Sequence, residues 1–243
     1  MIELSPLPGD PTELHLRFVY ADMLSDTPHA DTVEKWRVEI LHQSRTHDDS
    51  RCPVAPSACE ADHCPAYTLS DSPVGSMTFF RVHLDRGRNA HAALADESED
   101  LNEIAQVLID PATGYFTDEV GELLEYSGSA LLVMDRVTLR EEWRGQGLGA
   151  ILASEAIFRL MPGCRAVACS PGITDLGSRS LEDRAEWDRV NTKIAYGWES
   201  IGFRLYRDNI YLLSPVSQDL EEQRGVLRGR LVELAAAWRT TAP

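Results

Sequence analysis

One short run, Arg144-Gly145-Gln146-Gly147-Leu148-Gly149-Ala150, limits what this chain can fold into. Before it lies an apolar run, Leu131 to Leu139, with strand character. After it, Ile151 to Leu160 carries apolar residues at helical spacing. A strand, a glycine-rich turn and a helix together form an anion cradle. Backbone N–H groups point into the turn, and the helix N-terminus adds partial positive charge. Glycine lets a ligand approach the backbone and permits turn positions with φ > 0. The ligand such a cradle suits is a phosphate or pyrophosphate.

Three glycine patterns compete for this turn. A Walker loop needs a lysine and a hydroxyl residue after its glycines, and neither is present at that spacing. The dinucleotide fingerprint is formally matched by Gly145, Gly147 and Ala150. It should start where the strand ends and be followed ~20 residues later by a carboxylate. Here Arg140-Glu141-Glu142-Trp143 intervenes, and Ala168 to Ser170 has no acid. The third pattern, [RQ]-x-x-G-x-[GA], is met by Arg144, Gly147 and Gly149. In this the sequence resembles the GNAT superfamily of N-acetyltransferases, whose acetyl-CoA pyrophosphate loop has that form. A second run, Asn191-x-x-Ile194-x-x-x-Trp198-Glu199-x-x-Gly202-Phe203, resembles another hallmark of the family, N-x-x-A-x-x-x-Y-E-x-x-G-F.

The resemblance implies an α/β (α+β) domain with a mixed, mostly antiparallel sheet flanked by helices. It also implies acetyl-CoA held by Arg144, Gly145, Gln146, Gly147, Leu148, Gly149 and Ala150, with Asn191 facing it. Leu139 aligns with the position whose backbone N–H holds the acetyl carbonyl. The family's tyrosine, often the acid that protonates the leaving thiolate, is Trp198 here, and an indole N–H has no useful acidity. Tyr196 is about 200° away round a helix and cannot replace it. Asp135 is the one carboxylate expected on the strand face shared by Val133, Val137 and Leu139. Burial beside an apolar strand would raise its pKa and suit it to general-base work. A paired structural carboxylate is the competing reading.

The flanking segments read less sharply. Leu14 to Leu24 reads as a strand, and Asp31 to about Ser44 as a helix with Val33, Trp36 and Ile40 on one face. Thr46 to Val74 reads as a long loop, followed by a strand from Gly75 to Leu84. Ser98 and Thr117 read as N-caps of two helices, a helical insertion over 98–127. Arg165 to Ser170 reads as a buried strand, Ser180 as the cap of the next helix, and Asn209 to Leu213 as the closing strand. Val216 to Trp238 forms an extra C-terminal helix, packed on its own domain or serving a homodimer contact. Gly225 and Gly229 on it would permit close helix approach. The organisation is a single domain over 1–213, its acetyl-CoA-binding half spanning 130–213, with a helical extension over 214–243.

The 46–74 loop carries Cys52, Cys59 and Cys64, with His47 and His63 nearby. The spacing C-x6-C-x4-C lacks the C-x2-C knuckle of common zinc sites, so the sequence expectation is no metal. Cys164 and Cys169 read as small core residues.

Net charge is −16, with two lysines among 23 basic residues. Such a surface disfavours nucleic acid and acidic membranes, which are bound largely through Lys and Arg. It would tolerate or attract cationic acceptors such as amines, although solubility alone also accounts for it, while Arg136, Arg140 and Arg144 would offset the anionic coenzyme A locally. The N-terminus lacks a basic start and a long apolar run, and no stretch reaches the ~20 apolar residues that span a bilayer. A soluble, cytoplasmic protein is expected. The function expected is acetyl transfer to a small-molecule or peptide amine. A catalytically silent acyl-CoA-binding or interaction module is the alternative, and the charge argues against a third reading, an aminoacyl-tRNA-dependent transferase.

Overall fold

The computed structural model describes residues 7–22, 29–52, 64, 66–172 and 184–241. Seven strands form one sheet: β1 (Leu14–Tyr20), β2 (Val33–His47), β3 (Tyr67–His83), β4 (Ala130–Leu139), β5 (Cys164–Cys169), β6 (Arg204–Arg207) and β7 (Ile210–Leu213). Their order is β1-β2-β3-β4-β5-β7-β6, and every pairing is antiparallel except β4 with β5. The helices are α1 (Ala90–Glu97), α2 (Glu99–Leu108), α3 (Asp118–Leu123), α4 (Leu148–Leu160), α5 (Arg184–Glu199) and α6 (Leu220–Thr241).

The sheet is covered on both faces, which is why the first half of β4, Ala130 to Met134, is continuously apolar and buried. On one face Met77, Phe79, Leu132 and Met134 pack with Ile151, Ala153 and Ile157 of α4 and Leu227 of α6. On the other, Phe80, Val82, Leu131 and Val133 pack with Leu94 of α1, Leu101, Ile104 and Leu108 of α2 and Val120 of α3. Ser98 and Thr117 cap α2 and α3, their hydroxyls accepting from Leu101 N at 3.2 Å and Val120 N at 3.4 Å.

Two expectations from sequence are corrected. The segment from Val33 is strand β2, where a helix is expected. Its apolar spacing fits either structure. Trp36, Val38 and Ile40 also alternate with Lys35, Arg37 and Glu39, and pairing with β1 and β3 on both sides selects the two-residue period. The long loop over 46–74 is shorter, because β2 runs to His47 and β3 starts at Tyr67. Ser44 faces Ser70 with hydroxyls 2.9 Å apart, and Thr46 faces Thr68 at 3.0 Å. These polar cross-strand pairs stabilise a hairpin whose composition resembles a loop. Pro73 sits where the β2–β3 register shifts, a place that tolerates its missing N–H. Helix α1 and strand β6 carry no clear sequence signal. Ser180 lies outside the described residues.

Helix α6 packs against α4 and is tied at its far end to the start of the chain. Trp238 Nε1 donates to Leu7 O at 3.0 Å, and Arg239 Nε donates to Asp10 Oδ2 at 2.7 Å. Among the described residues nothing lies within 4 Å of a Cβ built on Gly225 or Gly229. Close helix approach at these glycines therefore does not occur among the described residues. No helix of the described residues is long and apolar enough to cross a membrane.

Candidate functional site, a cleft between β4 and β5

The parallel pairing of β4 with β5 runs from Ala130 opposite Cys164 to Met134 opposite Cys169, and stops. Strand β4 continues five residues further to Leu139 still paired with β3. A gap therefore opens beside the second half of β4. It widens into a cleft of about 510 Å³, bounded by β4, the glycine turn, the end of β5 and α5.

The β3–β4 register jumps from Phe79–Met134 to Thr78–Arg136, leaving Asp135 as the extra residue of a β-bulge. The bulge reverses the alternation of β4. Ala130, Leu132 and Met134 pack on the α4 face before it, and Val137 and Leu139 pack on the same face after it. Val133 packs on the opposite face. The expected single face for Val133, Asp135, Val137 and Leu139 is thus broken at Asp135. The bulge instead aims Asp135 at two spaces, the cleft and a second cavity of about 250 Å³ bordered by Lys35, Glu97 and Asp100. Burial pushes the Asp135 carboxyl above its ordinary range; Arg136 and Lys35 oppose this and Asp100 adds to it.

Arg140 N–H donates to Val74 O at 2.8 Å. Alternation along an antiparallel ladder then turns the N–H and C=O of Leu139 away from β3, toward the gap β5 has left. Arg144 Nε donates to that carbonyl at 2.5 Å, folding the chain back so that the glycine turn stands at the mouth of the cleft. Gly145 at φ 86° and Gly147 at φ 81° adopt the left-handed backbone that side chains rarely accept. Gly147 is the N-cap of α4 and supplies no side-chain cap to the first N–H groups of the helix, which border the cleft.

Gly149 tells more about a ligand than either turn glycine. It stands in the first turn of α4, and no described residue lies within 4 Å of a Cβ built there. Among the described residues no internal packing excludes a side chain, and glycine weakens a helix. The same holds for Gly197 inside α5, across the cleft. Glycine at both walls keeps space open that no described residue fills.

Of the residues expected to bind a cofactor, Leu139, Arg144, Gly145, Gly147, Leu148, Gly149 and Ala150 line the cleft. Gln146 and Asn191 do not. The α5 side is lined by Val190, Lys193, Ile194, Gly197 and Trp198, a stripe beside Asn191 on the helix surface. Asn191 Oδ1 is buried with no hydrogen-bond partner among the described residues. Trp198 stands in the cleft, whereas Tyr196 is 73% exposed and lies outside it. Cys169 lines the inner end, and burial alone drives its thiol far above the ordinary range, leaving it uncharged.

Two cations escape sequence reasoning. Lys193 shares the α5 stripe and could have been found from its spacing. Arg230 comes from α6, and a Cβ built on Gly147 would lie 3.0 Å from its guanidinium. No local motif announces a residue about eighty positions downstream of the turn it stands against.

A second cluster lies at the far end of the β2–β3 hairpin. Cys52 Sγ is 3.6 Å from Cys64 Sγ, which is 3.7 Å from His47 Nε2. Cys59 and His63 lie outside the described residues. No protein-family model matches the chain, and no relative is found among curated proteins.

Proposed function

We propose that the chain is an acetyl-CoA-dependent N-acetyltransferase of the GNAT type, acting on an amine by direct transfer. One observation carries this reading. The outward N–H of Leu139, the glycine turn and the N-terminus of α4 all border one cleft, at the point where β4 and β5 part. The donor set suits the ligand. Arg144, Lys193 and the N–H groups of the turn match a pyrophosphate, and Arg230 adds a cation beside it. Apolar walls at Met134, Ile194 and Trp198 match an alkyl arm.

Bound acetyl-CoA would supply an activated acetyl group as a thioester. The chain's own contribution is then positioning and charge stabilisation. The Leu139 N–H would hold the acetyl oxygen and stabilise negative charge there. Asp135, aimed at both cavities from its bulge, accepts the proton that the attacking amine must lose, directly or through water. Its raised pKa brings it closer to the range in which a carboxylate works as a base. Trp198 need not act as an acid, because a thiol of pKa about 8.5 could leave as the thiolate without a proton donor. Around the second cavity Glu97, Asp100 and Asp135 outnumber Lys35 and Arg136, a balance that leans toward a cationic acceptor.

The silent-module reading draws on one fact, that the cleft holds an indole where an acid would help departure of the thiol. Thiol release measured with acetyl-CoA and a panel of amines separates the two, with coenzyme A affinity measured in parallel by calorimetry. Amine-dependent release supports the transferase. Tight binding with no release from any amine supports the module, and no binding removes both.

A further inference from the structure

We infer that the tip of the β2–β3 hairpin is a binding site for a soft divalent cation of the zinc class, with His47, Cys52 and Cys64 as protein ligands. The inference is independent of the acetyltransferase reading, since none of the three residues lines the cleft. One ligand atom from each lies within 4.8 Å of the other two, and all three side chains are half-buried. Zinc bonds of about 2.3 Å to sulfur and about 2.05 Å to nitrogen, opened to a tetrahedral angle, space two sulfurs about 3.8 Å apart and a sulfur and a nitrogen about 3.6 Å. The observed separations are 3.6 Å and 3.7 Å. Two thiols and an imidazole are the soft and borderline donors that zinc prefers over magnesium or calcium. No fourth donor joins them among the described residues, and the fourth position falls to water or a further donor.

The backbone builds this arrangement from three pieces. His47 is the last residue of β2 and pairs with Tyr67, the first of β3. Beyond them Asp48 N donates to Ala66 O at 3.0 Å and Tyr67 N to Cys64 O at 3.2 Å, which brings Cys64 back beside His47. A single 3-10 turn, Asp49–Arg51, returns the chain to Cys52. The Asp48 carboxylate fixes that turn by accepting from Ser50 N at 3.0 Å and Ser50 Oγ at 2.6 Å. The His47 ring lies against Tyr67, centroids 4.5 Å apart, and Arg45 covers that tyrosine with its guanidinium 4.4 Å from the ring centroid. The imidazole is therefore held with Nε2 toward the sulfurs. The sequence lacks a C-x2-C knuckle because the ligands are gathered by strand pairing across the hairpin. That pairing is what the expectation of no metal did not contain.

Binding replaces two thiol protons by one cation, so two protons are released and affinity rises with pH. The test is titration of the full chain with cobalt(II), after removal of metal and under a non-thiol reductant that keeps the cysteines reduced. The expected result is one equivalent bound, with thiolate-to-cobalt charge-transfer absorption and the intense visible bands of a tetrahedral ion, both erased by zinc. Cys52→Ser and Cys64→Ser should each weaken binding on the order of 10²-fold or more and diminish the charge-transfer band. His47→Ala should weaken it while leaving that band. The wild-type titration needs no variant to fold. Binding below 0.1 equivalent at about 10 μM free metal, against the far tighter affinities of folded zinc sites, overturns the inference. So does stoichiometric binding that Cys52→Ser leaves unchanged.

Discussion

The guanidinium of Arg224 grips the carboxylate of Glu155 with two hydrogen bonds, Nε to Oε1 at 3.1 Å and Nη2 to Oε2 at 2.8 Å. Arg228 adds two more to the same carboxylate, at 2.6 and 3.0 Å. Arg224 also lies over the Phe158 ring, its guanidinium 3.4 Å from the centroid. These contacts fasten α6 to α4, the helix whose N-terminus borders the cleft, and they hold the α6 register that puts Arg230 beside Gly147.

The Glu155 carboxyl is desolvated, yet the two arginines outweigh this and hold it down at about 2. Its folded pKa lies below its unfolded value, so its stabilisation is complete above about pH 5 and lost as pH falls toward 2. Glu155→Gln is expected to lower stability by about 1–3 kcal/mol at pH 7, because Arg224 is left buried without its counter-charge. The difference from wild type should shrink as pH falls below 4. Urea unfolding at pH 7 and pH 3 checks this, and equal destabilisation at both would contradict it.

Gly149→Leu should separate folding from binding. No described residue crowds Gly149, and leucine favours a helix by several tenths of a kcal/mol over glycine. The thermal midpoint should hold or rise slightly while coenzyme A affinity falls at least about tenfold, a loss of roughly 1.4 kcal/mol. Calorimetry beside a melting curve reads both quantities. Retained affinity would place the ligand away from the glycine turn.

Arg230→Ala tests the contribution of the C-terminal helix. The side chain is exposed, so the fold should not notice its loss. Coenzyme A affinity should fall about 3- to 10-fold at low ionic strength and by less at 0.5 M salt, where the Debye length is shorter than about 5 Å. A loss that salt does not reduce would indicate a packing role.

On the acetyltransferase reading, Asp135→Asn should lower kcat/KM by roughly 10²-fold, the lower end for loss of a general base. Wild-type activity should rise with pH through a value above the ordinary carboxyl range, and the variant should lose that limb. Because the folded carboxyl is raised, its ionised form opposes folding, so the variant should be as stable as wild type or more so at pH 7. Trp198→Phe should change kcat little. Full activity of Asp135→Asn across the pH range would assign proton removal to solvent or another group.

Local sequence was sufficient wherever the signal was local. The glycine turn, the caps Ser98 and Thr117 and the apolar run of β4 depend on backbone conformation and short-range hydrogen bonds, and all are readable in windows of about ten residues. Gly202 belongs with them. It takes φ 120° after α5, where Phe203 N donates back to Trp198 O at 3.3 Å. Features made by pairing distant segments were not readable. Val33 to His47 fits two periods, and only its neighbours in the sheet select the strand. The bulge at Asp135 depends on the register with β3, and that one extra residue decides which side chains share a face. The gap beside Leu139 exists because β5 ends where β4 continues. Arg230 reaches Gly147, and Cys64 reaches His47, through helix packing and hairpin closure. A one-dimensional pattern records conformational preference within a few residues. Which distant groups meet is decided by burial and backbone pairing of the whole chain.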